Sequence, residues 1–273
     1  MTEHAIVFGA HAGLVGILTE PAAPVAGVIR AVIMSNIGMH HRIGPFRIYV
    51  EVSRRLAAAG FTVLRFDLAG MGDSTARNDA PTPAERASRD LESAMTWLTA
   101  NRGISEFLLI GLCSGVDSTH VAAVHDARVR GAAFIDGYSY PTTGFHIRRF
   151  TVRPLQVGRW VRFVHKRVLD RHSRLTAIDE PAVFERDYPT LDAFRQDVHV
   201  MTARGVHLLF VYTGGVYYRF NSASQVFEMI GRGAARDRIE VATLFNADHV
   251  FTRVTERARL VERLAAWAAS VPR

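Results

Sequence analysis

The chain has 273 residues, of which 48% are hydrophobic and 22% charged, with a formal net charge of +7. That apolar content suffices for a large buried core, and no run approaches the roughly 18 apolar residues of a membrane span. One cysteine rules out an intramolecular disulfide and fits a reducing compartment. The segment Met1-Thr2-Glu3-His4 lacks the basic-then-apolar pattern of a secretory leader, so a cytoplasmic location is expected. Lys166 is the only lysine, so arginine carries nearly all the positive charge. Either a solvated basic surface or an acidic or phosphorylated partner accounts for it.

In chain order, Ala5–Phe8 and Leu14–Thr19 read as an opening pair of strands, and Ala31–Met34 as a third that ends in Ser35-Asn36-Ile37-Gly38. Phe46–Ala59 has apolar residues at helical spacing, with Gly60 just beyond. Thr62–Phe66 is a buried strand leading into Asp67-Leu68-Ala69-Gly70-Met71-Gly72-Asp73-Ser74. A helix over Pro83–Asn101 precedes a strand over Phe107–Leu112, Cys113, a helix over Ser114–His125 and a strand over Ala132–Ile135. The rhythm breaks from Tyr138 to about Val200. It resumes with a strand over Val206–Thr213, a helix from Ser222 to about Gly233, a strand over Ile239–Phe245 and a helix over Thr255–Ala269. Such alternation predicts a mostly parallel sheet covered by helices. The chain divides into a core, residues 1–137 and 201–273, and an insertion, residues 138–200, long enough to be a functional cap. No repeat or low-complexity linker interrupts it.

The segment Gly111-Leu112-Cys113-Ser114-Gly115 lies between a strand and a helix. A strand-to-helix elbow this tight needs small residues two before and two after its central residue, because larger ones strike the adjoining strand and helix. The turn exposes the central side chain at the carboxyl edge of the sheet. The helix N-terminus that follows adds partial positive charge, which favours thiolate over thiol. The alternative is an ordinary buried cysteine.

At this point the chain resembles the α/β-hydrolase superfamily, over essentially its whole length. Asp67-Leu68-Ala69-Gly70-Met71-Gly72-Asp73-Ser74 is similar to the Asp-x-x-Gly-x-Gly-x-Ser segment that precedes the elbow in many such hydrolases. Ala247-Asp248-His249-Val250-Phe251 looks like the family's histidine loop, and the order nucleophile first, histidine last matches as well. The resemblance implies an α/β-hydrolase fold: a mostly parallel eight-stranded sheet, helices on both faces and an inserted helical cap. It implies Cys113 as nucleophile, His249 as base, and an oxyanion hole from the backbone N–H groups of Ser114 and Ile37, with Gly38 allowing close approach. His40 and His41, without a third ligand, read as a polar loop, and neither metal nor cofactor is expected.

The acid departs from the common pattern. The family usually carries it just after the strand that here is Val206–Thr213, but Gly214-Gly215-Val216-Tyr217-Tyr218-Arg219-Phe220-Asn221 contains no carboxylate. Some members carry it one strand earlier, which points to Asp136 after Ile135. A Cys–His dyad and an orienting Asn221 are the alternatives, and Asp248 is expected to shape its own loop. A thiol needs less assistance than a serine hydroxyl, so a dyad is chemically workable.

A cysteine in this position resembles the elbows of polyhydroxyalkanoate synthases, dienelactone hydrolases and hydrolases of exopolysaccharide and natural-product clusters. The resemblance implies acyl transfer through a cysteinyl acyl-enzyme, by a thioesterase or an acyltransferase/cyclase. Between His146 and Arg174 the insertion holds nine Arg or Lys residues and one acid, Asp170, interleaved with apolar residues. That pattern suits a membrane surface, a calmodulin-like partner, or an acyl carrier protein or CoA, with a solvated surface as the alternative. Given the cysteine site, a carrier- or CoA-bound acyl thioester is the expected substrate. Nucleic acid is not expected, since no recognition motif accompanies the charge. A small-ester or lactone hydrolase and a non-catalytic hydrolase-fold binding protein are the rival functions.

Overall fold

Runs such as Ala31–Met34 and Phe107–Leu112 are apolar on both sides of the strand, and such strands are stable only where helices cover both faces of the sheet. The computed structural model, which describes residues 1–9, 13–22, 30–77, 82–152 and 188–272, has that arrangement. Strands β1 (Thr2–Phe8), β2 (Leu14–Glu20), β3 (Arg30–Met34), β4 (Thr62–Phe66), β5 (Glu106–Leu112), β6 (Val129–Ile135), β7 (His207–Thr213) and β8 (Ile239–Leu244) form one sheet. Their order is β1-β2-β4-β3-β5-β6-β7-β8. Strand β2 runs antiparallel to both β1 and β4, and every pair from β4 to β8 is parallel.

Among the described residues seven α-helices accompany the sheet: α1 (Ile48–Ala58), α2 (Pro83–Arg102), α3 (Gly115–His125), α4 (Thr143–Val152), α5 (Leu191–Ala203), α6 (Ser224–Ile230) and α7 (Val254–Ser270). Leu91 and Met95 of α2, Val116 of α3, and Phe194 and Val198 of α5 build one core. Tyr49, Val52 and Leu56 of α1 and Leu260, Leu264 and Trp267 of α7 build the other. Helix α2 starts on a capping box, in which the Thr82 hydroxyl accepts from the Glu85 N–H and the Glu85 carboxylate accepts from the Thr82 N–H.

Helix α1 begins two residues later than its apolar spacing predicts. Pro45–Arg47 form a separate 3-10 turn, and Phe46 and Arg47 have φ of 49° and 63°, which an α-helix cannot accommodate. Helix α6 stops at Ile230 rather than near Gly233, because Gly231 turns the chain with φ 71° and ψ −150°. Within the stretch where the strand-helix rhythm breaks, α4 and α5 are described. Helix α5 buries Phe194, Val198 and Met201 completely, so this part of the segment packs as a core helix. The basic run beyond Val152, from Arg153 to Arg174, lies outside the described residues.

The register sets the site. Leu112 pairs with Ile135 and Ile135 with Val211, so residues just beyond these strand ends emerge side by side at the carboxyl edge. Open parallel sheets bind their ligands at this edge.

Candidate active site

Cys113 follows β5 directly and takes φ 55°, a left-handed conformation rare for a residue with a side chain. Its N–H donates to the Ile135 carbonyl at 2.9 Å, and the Val116 N–H donates to its own carbonyl at 3.1 Å, so β5 and α3 fix the turn from both ends. A Cβ on Gly111 would lie 2.5 Å from the Gly115 carbonyl oxygen, and one on Gly115 would lie 2.9 Å from that of Asn36. Both contacts are with backbone, which cannot swing aside. The elbow therefore requires these two glycines, and the half-buried Cys113 side chain stands at its apex.

The loop after β3 lies against the elbow. The Ser114 hydroxyl accepts from the Gly38 N–H at 2.6 Å, a clamp that uses the Ser114 side chain as well as the backbone its position suggested. The N–H groups of Ile37 and Ser114, the two donors expected from sequence, carry no hydrogen bond to the other described residues. Asp67, fully buried, braces the loop from below. Its carboxylate accepts from Asn36 Nδ2 at 3.0 Å and from the Arg42 N–H at 2.7 Å, and it ion-pairs with the Arg42 guanidinium. Asn36 also accepts from the Leu68 N–H at 2.5 Å. The segment that resembled a family motif thus supports the loop and takes no direct part at the thiol.

Asp136 follows β6 and also has positive φ, 47°. Its N–H donates to the Val211 carbonyl at 2.9 Å, and its buried carboxylate accepts from the Thr213 N–H at 2.7 Å and the Thr213 hydroxyl at 2.5 Å. Asp136 Oδ2 lies 2.8 Å from His249 Nδ1. The His249 ring also hydrogen-bonds the Cys113 side chain, and with Nδ1 committed to Asp136, Nε2 is the nitrogen left for sulfur. The hydrogen bond that the ring donates to Asp136, and after it that to Cys113, favour the charged imidazole and push its pKa up to about 10, although partial burial acts in the opposite direction.

The structure thus brings Cys113, His249 and Asp136 into one chain of contacts. Asn221 stands apart: its Oδ1 accepts from Arg148 Nε at 2.9 Å and its Nδ2 donates to the Phe145 carbonyl at 3.1 Å, tying α4 to the segment after β7. Asp248 accepts from the Thr252 N–H at 2.9 Å and shapes the histidine loop. His41, Asp67 and Asp73 bring ligand atoms within 4.8 Å of one another. Arg42 ion-pairs with both of these carboxylates, and His41 Nε2 lies 3.6 Å from Asp67 Oδ2 and 3.5 Å from Asp73 Oδ2, so His41 has two carboxylate neighbours that its sequence position did not reveal. The sequence places Arg42 in the loop that flanks the site without revealing its pairing with Asp67, and it gives no sign of Thr213 at all. Each acts through a partner 25 or more positions away, and neither sits in a motif.

No protein-family model matches the chain, and no curated protein does. Solved structures do. The chain is similar to an esterase from Pyrococcus furiosus, with 14% identity and a TM-score of 0.63, over 98% of this chain and 91% of that one. A dienelactone hydrolase from Anabaena variabilis gives 15% identity and a TM-score of 0.58 over 100% and 99% of the two chains. An α/β serine hydrolase homologue from Coxiella burnetii gives 15% and 0.58 over 97% of each. At such identities the likeness establishes the architecture, and the protein has the α/β-hydrolase fold.

Proposed function

We propose that this protein is an α/β-hydrolase-fold enzyme that transfers acyl groups through a covalent adduct on Cys113. In this reading it is a thioesterase or an acyltransferase/cyclase, and its substrate is an acyl thioester carried by CoA or an acyl carrier protein.

The steps follow from the contacts. The Cys113 thiolate attacks the acyl carbonyl carbon and forms a C–S bond, while the carbonyl oxygen gains the negative charge. The Ile37 and Ser114 N–H groups donate to that oxyanion. As the tetrahedral adduct collapses, the bond to the leaving thiol breaks and His249 Nε2 gives it a proton. Neutral His249 then takes a proton from water, an amine or an alcohol as that nucleophile attacks the acyl-enzyme. Sulfur leaves as thiolate, which restores the thiolate–imidazolium pair. Asp136 accepts from Nδ1 throughout and holds the ring so that Nε2 faces the sulfur.

The observation that carries this reading is the His249 ring held between Asp136 and Cys113, with the cysteine in a left-handed elbow. A cysteine favours thioesters because the acyl-enzyme it forms is itself a thioester, close in energy to the substrate and open to several acceptors. The arginine-rich sequence between Arg153 and Arg174 supplies the charge that a phosphate-bearing carrier calls for. The likeness to an esterase and a dienelactone hydrolase keeps oxygen esters and lactones as the second reading.

The test is intact-mass spectrometry after incubation with acetyl-, octanoyl- and palmitoyl-CoA, alongside 4-nitrophenyl acetate and a simple lactone. An acyl adduct localised to Cys113 supports acyl-enzyme chemistry. An adduct that persists until an amine or alcohol is added identifies a transferase, and rapid loss to water a thioesterase. Turnover of the oxygen esters alone would sink the thioester reading. No adduct and no turnover would leave a non-catalytic binding protein.

A further inference from the structure

We propose that Thr213 is a positioning residue of this site, holding the acid that β6 supplies where the Gly214-Gly215 backbone after β7 leaves no room for one. The inference rests on the Cys113–His249–Asp136 reading and deepens it.

Thr213 ends β7, directly before the place where the fold usually supplies its carboxylate. Here that place cannot hold one. A Cβ on Gly214 would lie 2.4 Å from the Phe245 carbonyl oxygen, and one on Gly215 would lie 2.8 Å from both the backbone N and the Cβ of His249. The Gly214 N–H also donates to the Ala247 carbonyl at 2.9 Å. The histidine loop therefore lies flat on the backbone after β7, and any side chain there displaces it. The acid comes instead from the neighbouring strand end.

Thr213 then takes over the support of that acid. Its backbone N–H and its hydroxyl grip the two carboxylate oxygens of Asp136 separately, at 2.7 Å to Oδ1 and 2.5 Å to Oδ2. The Gly215 N–H donates to Thr213 Oγ1 at 3.1 Å, so the single hydroxyl proton of Thr213 is directed to Asp136. Oδ2 is the oxygen that His249 Nδ1 also meets. Thr213 and Asp136 are both buried, so no water replaces a lost donor. The β-branched side chain has few χ1 choices, which fixes the hydroxyl without a further partner. A relay runs from Gly215 through Thr213, Asp136 and His249 to Cys113. The hydroxyl and the N–H of Thr213 hold the plane of the carboxylate toward the imidazole.

The experiment compares wild type, Thr213→Val, Thr213→Ser, Cys113→Ala and His249→Ala for 4-nitrophenyl acetate turnover across pH, with thermal unfolding of each. Valine keeps the shape and removes the donor. The inference expects Thr213→Val to lose roughly 10-fold to 100-fold in kcat with little change in KM. It also expects the pH profile of turnover to move, since the carboxylate oxygen that faces His249 Nδ1 has lost its hydroxyl donor. Thr213→Ser should recover most of both. A wild-type profile in Thr213→Val, while Cys113→Ala and His249→Ala lose turnover, overturns the Thr213 assignment alone. Equal losses in Val and Ser with lowered melting temperature and an unmoved profile also overturn it, as a purely structural effect. Retained turnover in Cys113→Ala and His249→Ala overturns the underlying chemistry and this inference with it.

Discussion

His249 Nδ1 lies 2.8 Å from Asp136 Oδ2, although the two residues are 113 positions apart and belong to loops after different strands. That contact, and after it the Cys113 side chain, push the imidazole pKa up to about 10, and most of what the site does follows from this pairing.

Asp136→Asn should lower stability in a pH-dependent way. The folded-state pKa of His249 is raised from 6.5 to about 10, so its contribution is complete below about 6.5 and is lost as pH rises through about 10. Thermal unfolding at pH 6, 8 and 10 should therefore show a gap between wild type and variant that is widest at pH 6 and narrows toward 10. A gap of constant size would contradict the assignment.

Ser114→Ala removes the acceptor of the Gly38 N–H. The net loss of stability should be about 1 kcal/mol. Under the proposed mechanism activity should fall further, by roughly 10-fold in kcat, because the clamped loop carries one of the two N–H donors assigned to the developing oxyanion. Steady-state kinetics beside urea unfolding separates the two effects. Faster turnover in the variant would show that the clamp restrains the loop and does not align it.

Arg42→Met removes the guanidinium that pairs with the fully buried Asp67. Breaking a buried pair from one side costs about 3–5 kcal/mol. Urea titration should give a loss in that range, together with weakened activity from a loosened Asn36-Ile37-Gly38 loop. A change under about 1 kcal/mol, the usual worth of exposed pairs, would mean that the pair is effectively solvated.

Gly111→Ala places a methyl against the Gly115 backbone. Overpacking of this kind costs about 1–3 kcal/mol, and the relief available is to open the elbow and displace Cys113. The variant should remain folded by circular dichroism at low temperature while losing cysteine reactivity. Unchanged reactivity would show that the elbow tolerates a wider turn.

Much of this was legible in the chain itself, for identifiable reasons. Strands β3 to β7 announce themselves because parallel strands buried on both faces must be continuously apolar, and the elbow does so because glycine at Gly111 and Gly115 is a steric necessity. Asp136 was legible by position, as the first residue after a strand end adjoining β5. The supporting residues were not. Thr213 and Arg42 act through partners that only the folded sheet brings near, and a threonine at a strand end or an arginine in a loop has no periodicity to betray its role. The start of α1 is not legible for a related reason. The apolar spacing of Phe46 continues the helix pattern, and only the left-handed φ of Phe46 and Arg47 ends it.

The central claim is that Cys113 is a nucleophile held as thiolate by His249. The direct measurement is the rate of Cys113 alkylation by iodoacetamide from pH 5 to 10, in wild type and His249→Ala. With the imidazole charged to about pH 10, wild-type alkylation should already be fast and nearly level between pH 6 and 7, whereas His249→Ala should be slow there and rise with a midpoint near the ordinary thiol value of about 8.5. A wild-type rate that itself rises through about 8.5 and is indifferent to His249→Ala would contradict the account.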